Sequence, residues 1–208
     1  MRIVKASAEI YGDIDGDEIL KRIERIGRVC YKSENRITDD SARSFVANII
    51  KRGHESVLEH ASVTVKFIVD RGVSHEIVRH RIASVSQEST RYCNYSNEKF
   101  NNEITVIKPP FFDEGETGYV CWKSACENAE EAYFSLLNMG CSPQEARSVL
   151  PTSLKTELYM TANLRELRHF LKLRTSPAAH PQMREVAIPL LNEFKLRIPV
   201  VFSDIEDV

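Results

Sequence analysis

Long apolar runs are missing from this 208-residue chain: none approaches the roughly 20 residues a membrane-crossing helix needs. The opening Met1-Arg2-Ile3-Val4-Lys5 has no extended apolar region and no small-residue cleavage site, so it does not read as a secretory signal, and the cytoplasm is the expected location. Paired cysteines are missing as well. The five cysteines, at 30, 93, 121, 126 and 141, are odd in number and include no Cys-x-x-Cys, so all are expected to be reduced and mostly structural. There is no surplus of positive charge: 28 Lys and Arg against 30 Asp and Glu give a net charge of −2, whereas a general nucleic-acid binder is usually basic. Gly-x-Gly-x-x-Gly, Walker and Gly-x-Ser-x-Gly motifs are all absent, which argues against a Rossmann site, a P-loop and a serine nucleophile elbow. His54, Glu59 and His60, with His75 and His80, invite a metal reading. Their spacing matches no zinc signature, so no metal is expected.

What is present is the composition of a soluble globular chain: 42% hydrophobic and 28% charged residues. The length fits one domain with a sizeable core. Residues 2–10 read as a strand, and 17–31 and 40–51 as helices, with Gly53 ending the second. The segment 54–60 is too polar for a core element and too short for an independent helix. Ser62–Asp70 alternates as the clearest strand, and Ser74 is the expected N-cap of a short helix reaching Arg81. Residues 84–97 read as irregular, and 104–108 as a short strand. A helix from Thr117 to Met139 is expected to bury Cys121, Ala125, Ala129, Ala132, Leu136 and Met139. Ser142-Pro143-Gln144-Glu145 is a capping box. Leu154 to Met160 alternates as a strand. Asn163 caps a helix that buries Leu164, Leu167, Phe170 and Leu171, exposes Arg165 and His169, and ends near Arg174. Residues 181–197 form a last helix, which Pro189 should kink. No repeat or linker marks a second domain, so the expectation is a single α/β or α+β domain over 1–208, with a mixed sheet and flanking helices.

The stretch Arg79-His80-Arg81-Ile82-Ala83-Ser84-Val85-Ser86-Gln87-Glu88-Ser89-Thr90-Arg91-Tyr92 is dense in groups that bind anions. Guanidinium forks suit phosphate, serine hydroxyls add donors, and Gln87 can both donate to and accept from a nucleobase edge. Concentrated arginines in a near-neutral chain suit a small anion bound once and specifically. A solvated loop whose arginines pair with Glu76, Glu88 and Glu98 explains the composition equally well. Arg147 and Arg174 end helices, where the dipole alone favours cations.

The arrangement of motifs goes further. Arg79-His80-Arg81, followed after seven residues by Ser89, resembles the signature of the flavin-dependent thymidylate synthases. Gly53-His54-Glu55-Ser56-Val57-Leu58-Glu59-His60 is similar to that family's Gly-His-x-Ser/Thr-x-x-Glu-His. Ala146-Arg147-Ser148-Val149-Leu150-Pro151 resembles its Ala-Arg-x-x-Leu-Pro, and Asn163 to Arg174 its C-terminal helix motif. Four motifs in the family's order span most of the chain. Two departures are visible: Ser86-Gln87 stands where many members have Asn-Glu, and Ala179-His180-Pro181-Gln182-Met183-Arg184-Glu185 where Ala-Gln-x-Glu-Ile-Arg is common.

The resemblance implies methylation of dUMP to dTMP, with FAD as cofactor and with methylenetetrahydrofolate and NADPH as co-substrates. It also implies a mixed α/β homotetramer with active sites at subunit interfaces. By position, Glu76, Arg79, Gln87, Glu88, Ser89, Thr90, Arg91, Arg147 and Arg174 are expected at dUMP. His54, Ser56, Arg79, His80, Arg81, Gln87, Asn163, Leu164, Arg165 and His169 are expected at FAD. Arg174 is the expected catalytic residue: it would face the uracil N3 and O4 edge and favour the ionised ring, so no enzyme nucleophile is needed. The implied partners are small molecules and further copies of the chain, with no nucleic acid and no membrane.

Overall fold

A computed structural model describes residues 1–206. Asp207 and Val208, included in the single-domain expectation, lie outside the described residues. In chain order the elements are β1 (Arg2–Val4), β2 (Ser7–Ile10), α1 (Gly16–Val29), α2 (Ser41–Lys51), β3 (Ser62–Asp70), α3 (Arg71–Ile77), β4 (Ala83–Gln87), β5 (Thr105–Ile107), α4 (Thr117–Asn138), α5 (Pro143–Ala146), β6 (Lys155–Asn163), α6 (Leu164–Arg174), α7 (Pro181–Arg197) and α8 (Pro199–Phe202). A 3-10 turn, Glu55–His60, precedes β3. The fold is mixed α/β with two sheets: a two-stranded one, β1-β5, and a four-stranded one in the order β2-β3-β6-β4. The chain forms two compact units, one comprising residues 1–7, 67–79 and 86–158, the other residues 8–66, 80–85 and 159–208.

In the first unit β1 pairs in parallel with β5, with Ile3 opposite Val106. Tyr95, Ile104, Val106, Cys126, Tyr133, Ala146 and Leu154 form its core, with Trp122 packed against them. The face that α4 buries is rotated from the expected one. Cys126 and Tyr133 are buried, whereas Cys121 and Ala125 are exposed and Met139 is 79% exposed. Burying the aromatic rings removes far more apolar area than burying an alanine and cysteine stripe. The capping box opens α5 as expected, with the Ser142 amide donating to Glu145 Oε2 at 2.7 Å. The N-cap of α3 is Asp70, whose carboxylate accepts from the Val73 amide at 2.8 Å. Ser74, the expected cap, is buried inside the helix and donates to the Arg71 carbonyl. This helix stops at Ile77, short of the arginines.

In the second unit α1 packs on α2 and on the 3-10 turn, and α6 packs on that turn and on α7. A side chain at Gly27 would lie 2.7 Å from the Phe45 ring, so glycine is what permits this close approach of α1 and α2. Gly53 ends α2 in the left-handed region at φ +70°. Leu164, Leu167, Phe170 and Leu171 of α6 are buried with Met183, Leu190 and Phe194 of α7. The helix α7 runs on through Pro189.

Two strand expectations need correction. Residues 2–10 form two strands in different sheets, β1 and β2, separated by Lys5 and Ala6. The expected irregular stretch after Ala83 begins instead with β4, at the edge of the larger sheet. It exposes Ser84 and Ser86 and half-buries Ala83, Val85 and Gln87. A solvent-facing serine row hides an edge strand from hydrophobic patterning.

Candidate functional site

The first unit carries the expected dUMP residues except Arg174, and the second carries Arg174 and the expected FAD residues except Arg79 and Gln87. In the first unit the stretch after β4 is fixed by its backbone: the Glu88 amide donates to the Glu157 carbonyl at 2.9 Å, and the Ser89 carbonyl accepts from Tyr92 and Cys93. Gln87 Nε2 donates to Ser74 Oγ at 3.0 Å and to Thr156 Oγ1 at 3.2 Å, so its amide faces β6 and α3. Glu88 accepts from Tyr95 Oη at 3.1 Å and pairs with Lys155 at 3.1 Å. Burial opposes the Lys155 charge, but the bonds to Glu157 and Glu88 outweigh it and raise the ammonium above its usual range. Burial and the Glu88 carboxylate push the Tyr95 phenol up. Thr90 is buried and its hydroxyl accepts from Arg147 at 3.3 Å. Thus Gln87, Glu88, Thr90 and Arg147 are drawn together, with Ser89 held between them by its neighbours. Arg71, which the sequence reading missed, donates to the Glu88 carbonyl at 3.3 Å and to Thr156 Oγ1 at 3.2 Å. Its only sequence signal was its place at the end of β3. Glu76 is half-buried on α3, and Arg79 and Arg91 are exposed.

The acid-pairing explanation of the arginines does not hold in this structure. Glu88 is taken by Lys155 and Tyr95, and Arg79, Arg91 and Arg147 make no ion pair among the described residues. Arg81, in the second unit, likewise has none and is exposed.

In the second unit Asn163, Arg165 and His169 line a groove of about 590 Å³, a volume typical of small-molecule sites. Glu55, Glu59 and Ile82 also line it. The Asn163 carbonyl oxygen caps α6 by accepting from the Glu166 amide at 2.9 Å. Arg165 is half-exposed and pairs with Glu59 at 2.6 Å. Arg168 is 1% exposed and ties α6 to Glu55, Val201 and Asp204. His54 and Ser56 are exposed, but neither lines this groove; His54 lines a separate cavity beside α1 and α2. Leu164 is wholly buried and its amide donates to the Ala61 carbonyl at 2.9 Å, so this residue fixes the start of α6 and does not face the groove.

His80 is 6% exposed. Its Nδ1 lies 2.9 Å from Glu166 Oε1, and its Nε2 receives Arg174 Nε at 3.2 Å. Burial pushes the imidazole below its usual range; Glu166 opposes this, and Arg174 and His169 reinforce it. The contact with Glu166 is therefore a hydrogen bond from a neutral ring rather than an ion pair. His80, Glu166 and His169 bring their ligating atoms within 4.8 Å of one another. Both His80 nitrogens are already engaged, one of them by a guanidinium, which is a poor setting for a cation. The donors of the groove suit an anionic, aromatic ligand: an amide, an exposed imidazole and a guanidinium whose present carboxylate partner, Glu59, is itself half-exposed.

Residues 15–200 match the family described as thymidylate synthase complementing protein. A flavin-dependent thymidylate synthase of Geobacter sulfurreducens is 34% identical over 184 residues, covering 85% of this chain and 78% of that protein. One of Pyrococcus furiosus is 36% identical over 167 residues, covering 80% of this chain and 68% of that protein. The crystal structure of a UMP/dUMP methylase, PolB from Streptomyces cacaoi, bound with 5-Br dUMP, superposes with a TM-score of 0.79 at 25% identity, covering 98% of this chain and 96% of that one.

Proposed function

We infer the chemistry of this chain from one premise: it belongs to the flavin-dependent thymidylate synthase family and is an enzyme that methylates dUMP to dTMP with a bound flavin. We further propose FAD as that flavin, methylenetetrahydrofolate as the carbon donor and NADPH as the reductant. The bound flavin supplies the hydride for the reductive methylation. The chain's own residues bind, orient and polarise.

Arg79, Arg91 and Arg147 take the charge of dUMP, with the phosphate in guanidinium forks. Glu76, Gln87, Glu88, Ser89 and Thr90 complete the nucleotide set. Arg174 lies at the uracil N3 and O4 edge and stabilises the charge that develops as C5 becomes nucleophilic. No enzyme nucleophile is required, and Ser89 binds rather than attacks. FAD is held by His54, Ser56, Arg79, His80, Arg81, Gln87, Asn163, Arg165 and His169, with the buried Leu164 fixing the start of α6 behind them. Because flavin, uracil and folate must lie within reach of one another, positioning contributes much of the rate.

The observation that carries this reading is the display of Arg79, Arg81, Arg91 and Arg147 without acidic partners among the described residues. Assembly as a homotetramer is proposed from the family resemblance alone. No helix among the described residues is long and apolar enough to cross a membrane, and we propose a cytoplasmic location. The test is the visible spectrum of the purified protein. Flavin absorbance that bleaches with NADPH is expected. A colourless protein that cannot be loaded with FAD overturns the reading.

A further inference from the structure

We infer that Glu166 and His80 form a positioning pair that holds the Arg174 guanidinium in its working orientation; the inference rests on the role proposed for Arg174. On α6, Glu166, Phe170 and Arg174 are spaced four residues apart and share one helix face. His80 reaches that face from the segment between α3 and β4. It is bonded to Glu166 on one side and Arg174 on the other, with the Phe170 ring edge-on at 4.9 Å.

The chemistry of the three groups leaves one arrangement. A guanidinium only donates, so His80 Nε2 must present its lone pair to Arg174. The ring's single proton is then on Nδ1, where the Glu166 carboxylate, an acceptor, receives it. Glu166 thereby fixes the tautomer, and the tautomer fixes the arginine. Glu166 is 8% exposed and lies in the first turn of α6, where the helix dipole favours a negative group.

Protonation of His80 destroys the arrangement. Nε2 would then carry a proton against the arginine, and two cations would face each other. The groups facing His80 are Glu166, His169 and Arg174, all from α6, while Arg79 and Arg81 flank it in sequence and are exposed. Burial lowers the pH at which the ring takes up its second proton, so the holding state persists at neutral pH and fails as pH falls through the lowered value.

The test is Glu166→Gln in the full chain, measured at saturating FAD. An amide can donate to Nδ1 as readily as accept from it, so the tautomer is then favoured by the guanidinium alone and no longer held from the other side. Turnover of dUMP should fall at least about 10-fold, while FAD affinity and flavin reduction by NADPH stay within about 2-fold. The acid limb of the turnover profile should also move to lower pH, because the carboxylate that raises the imidazole is gone. Equal losses in flavin binding and turnover, or an unmoved acid limb with unchanged turnover, overturn the inference.

Histidine-selective ¹⁵N NMR reads the arrangement without any activity. The unsubstituted protein at pH 7 should show His80 protonated at Nδ1 alone. An Nε2-protonated ring or an imidazolium at pH 7 overturns the inference directly. If the Nδ1 tautomer is found but the unsubstituted protein makes no dTMP, the functional reading and the catalytic part of this inference fail together, and the geometry stands. Should Glu166→Gln not fold, His80→Gln replaces it. That variant keeps a neutral acceptor for Arg174, so it should retain measurable turnover with no acid limb, whereas His80→Leu should lose at least about 100-fold. Equal turnover in these two variants overturns the inference.

Discussion

Replacing Arg168 with Met keeps the side-chain volume and removes every polar contact that this buried residue makes. Arg168 bonds Asp204 at 2.6 Å, Glu55 at 3.1 Å and the Val201 carbonyl. Burial opposes its charge, and the two carboxylates outweigh that and raise it. Breaking a buried pair by removing one partner costs about 3–5 kcal/mol when the other is stranded. Here the acids are not fully stranded: the Asp204 side chain is 48% exposed and that of Glu55 22%. In addition, Arg168 Nε is buried without a partner among the described residues, and methionine removes that cost. The net loss expected is therefore about 2–3 kcal/mol, below the stranded-pair range. For a chain of this size it amounts to a fall of about 5–10 °C in Tm. Glu55 belongs to the 3-10 turn that also carries Ser56 and Glu59, so FAD affinity should weaken with it, by about 5- to 10-fold (about 1–1.4 kcal/mol). The assays are thermal unfolding of the apoprotein and flavin titration by fluorescence. A Tm within 2 °C of the unsubstituted protein, with flavin affinity unchanged, would refute the reasoning.

The remaining expectations concern the two ligand sets and the acid side of the stability curve. Arg174→Lys keeps the charge and loses the fork; turnover should collapse while flavin binding stays near normal, and unchanged turnover rejects the role of Arg174. Arg147→Ala removes a charged donor, worth about 1.5–3 kcal/mol, and should raise the KM for dUMP about 10- to 100-fold; an unchanged KM removes Arg147 from the nucleotide set. Asn163→Ala should cost about 1 kcal/mol through loss of the α6 cap, read by denaturant unfolding. Asp204 is held below the usual carboxylate range by its bond from Arg168. A depressed value contributes stability that is present above the unfolded value and lost as pH falls through the folded one. Stability of the unsubstituted protein should thus fall steeply on the acid side, and less steeply in Arg168→Met. Parallel curves would contradict the assignment.

Much of this was legible in the chain because local chemistry and burial agree there. The alternation from Ser62 to Asp70 is the observed β3, and the Asn163 cap with Arg165 and His169 outward is the observed α6. Both patterns encode which face meets a core. The misses have the opposite character. Polar serines hid the edge strand β4, and Ser74 drew the expected start of α3 away from Asp70, the residue that ends β3. On α4, aromatic area beyond the reach of simple periodicity turned the helix by one residue. At the site, motif order gave the expected residues but not their partners. Arg71 and Glu166 carried no distinctive spacing, since each matters through residues distant in sequence: Thr156 for the former and His80 for the latter. Glu166 is the N3 residue of a helix capped by Asn163, and its side chain bonds His80.

The central claim is that this chain methylates dUMP with a flavin, and product formation tests it most directly. Purified protein loaded with FAD would be incubated anaerobically with dUMP, methylenetetrahydrofolate and NADPH, and the nucleotides separated by chromatography. dTMP accumulating over many turnovers, and ceasing when FAD is left out, is the predicted result. A flavin-loaded protein that oxidises NADPH and yields no dTMP would contradict it.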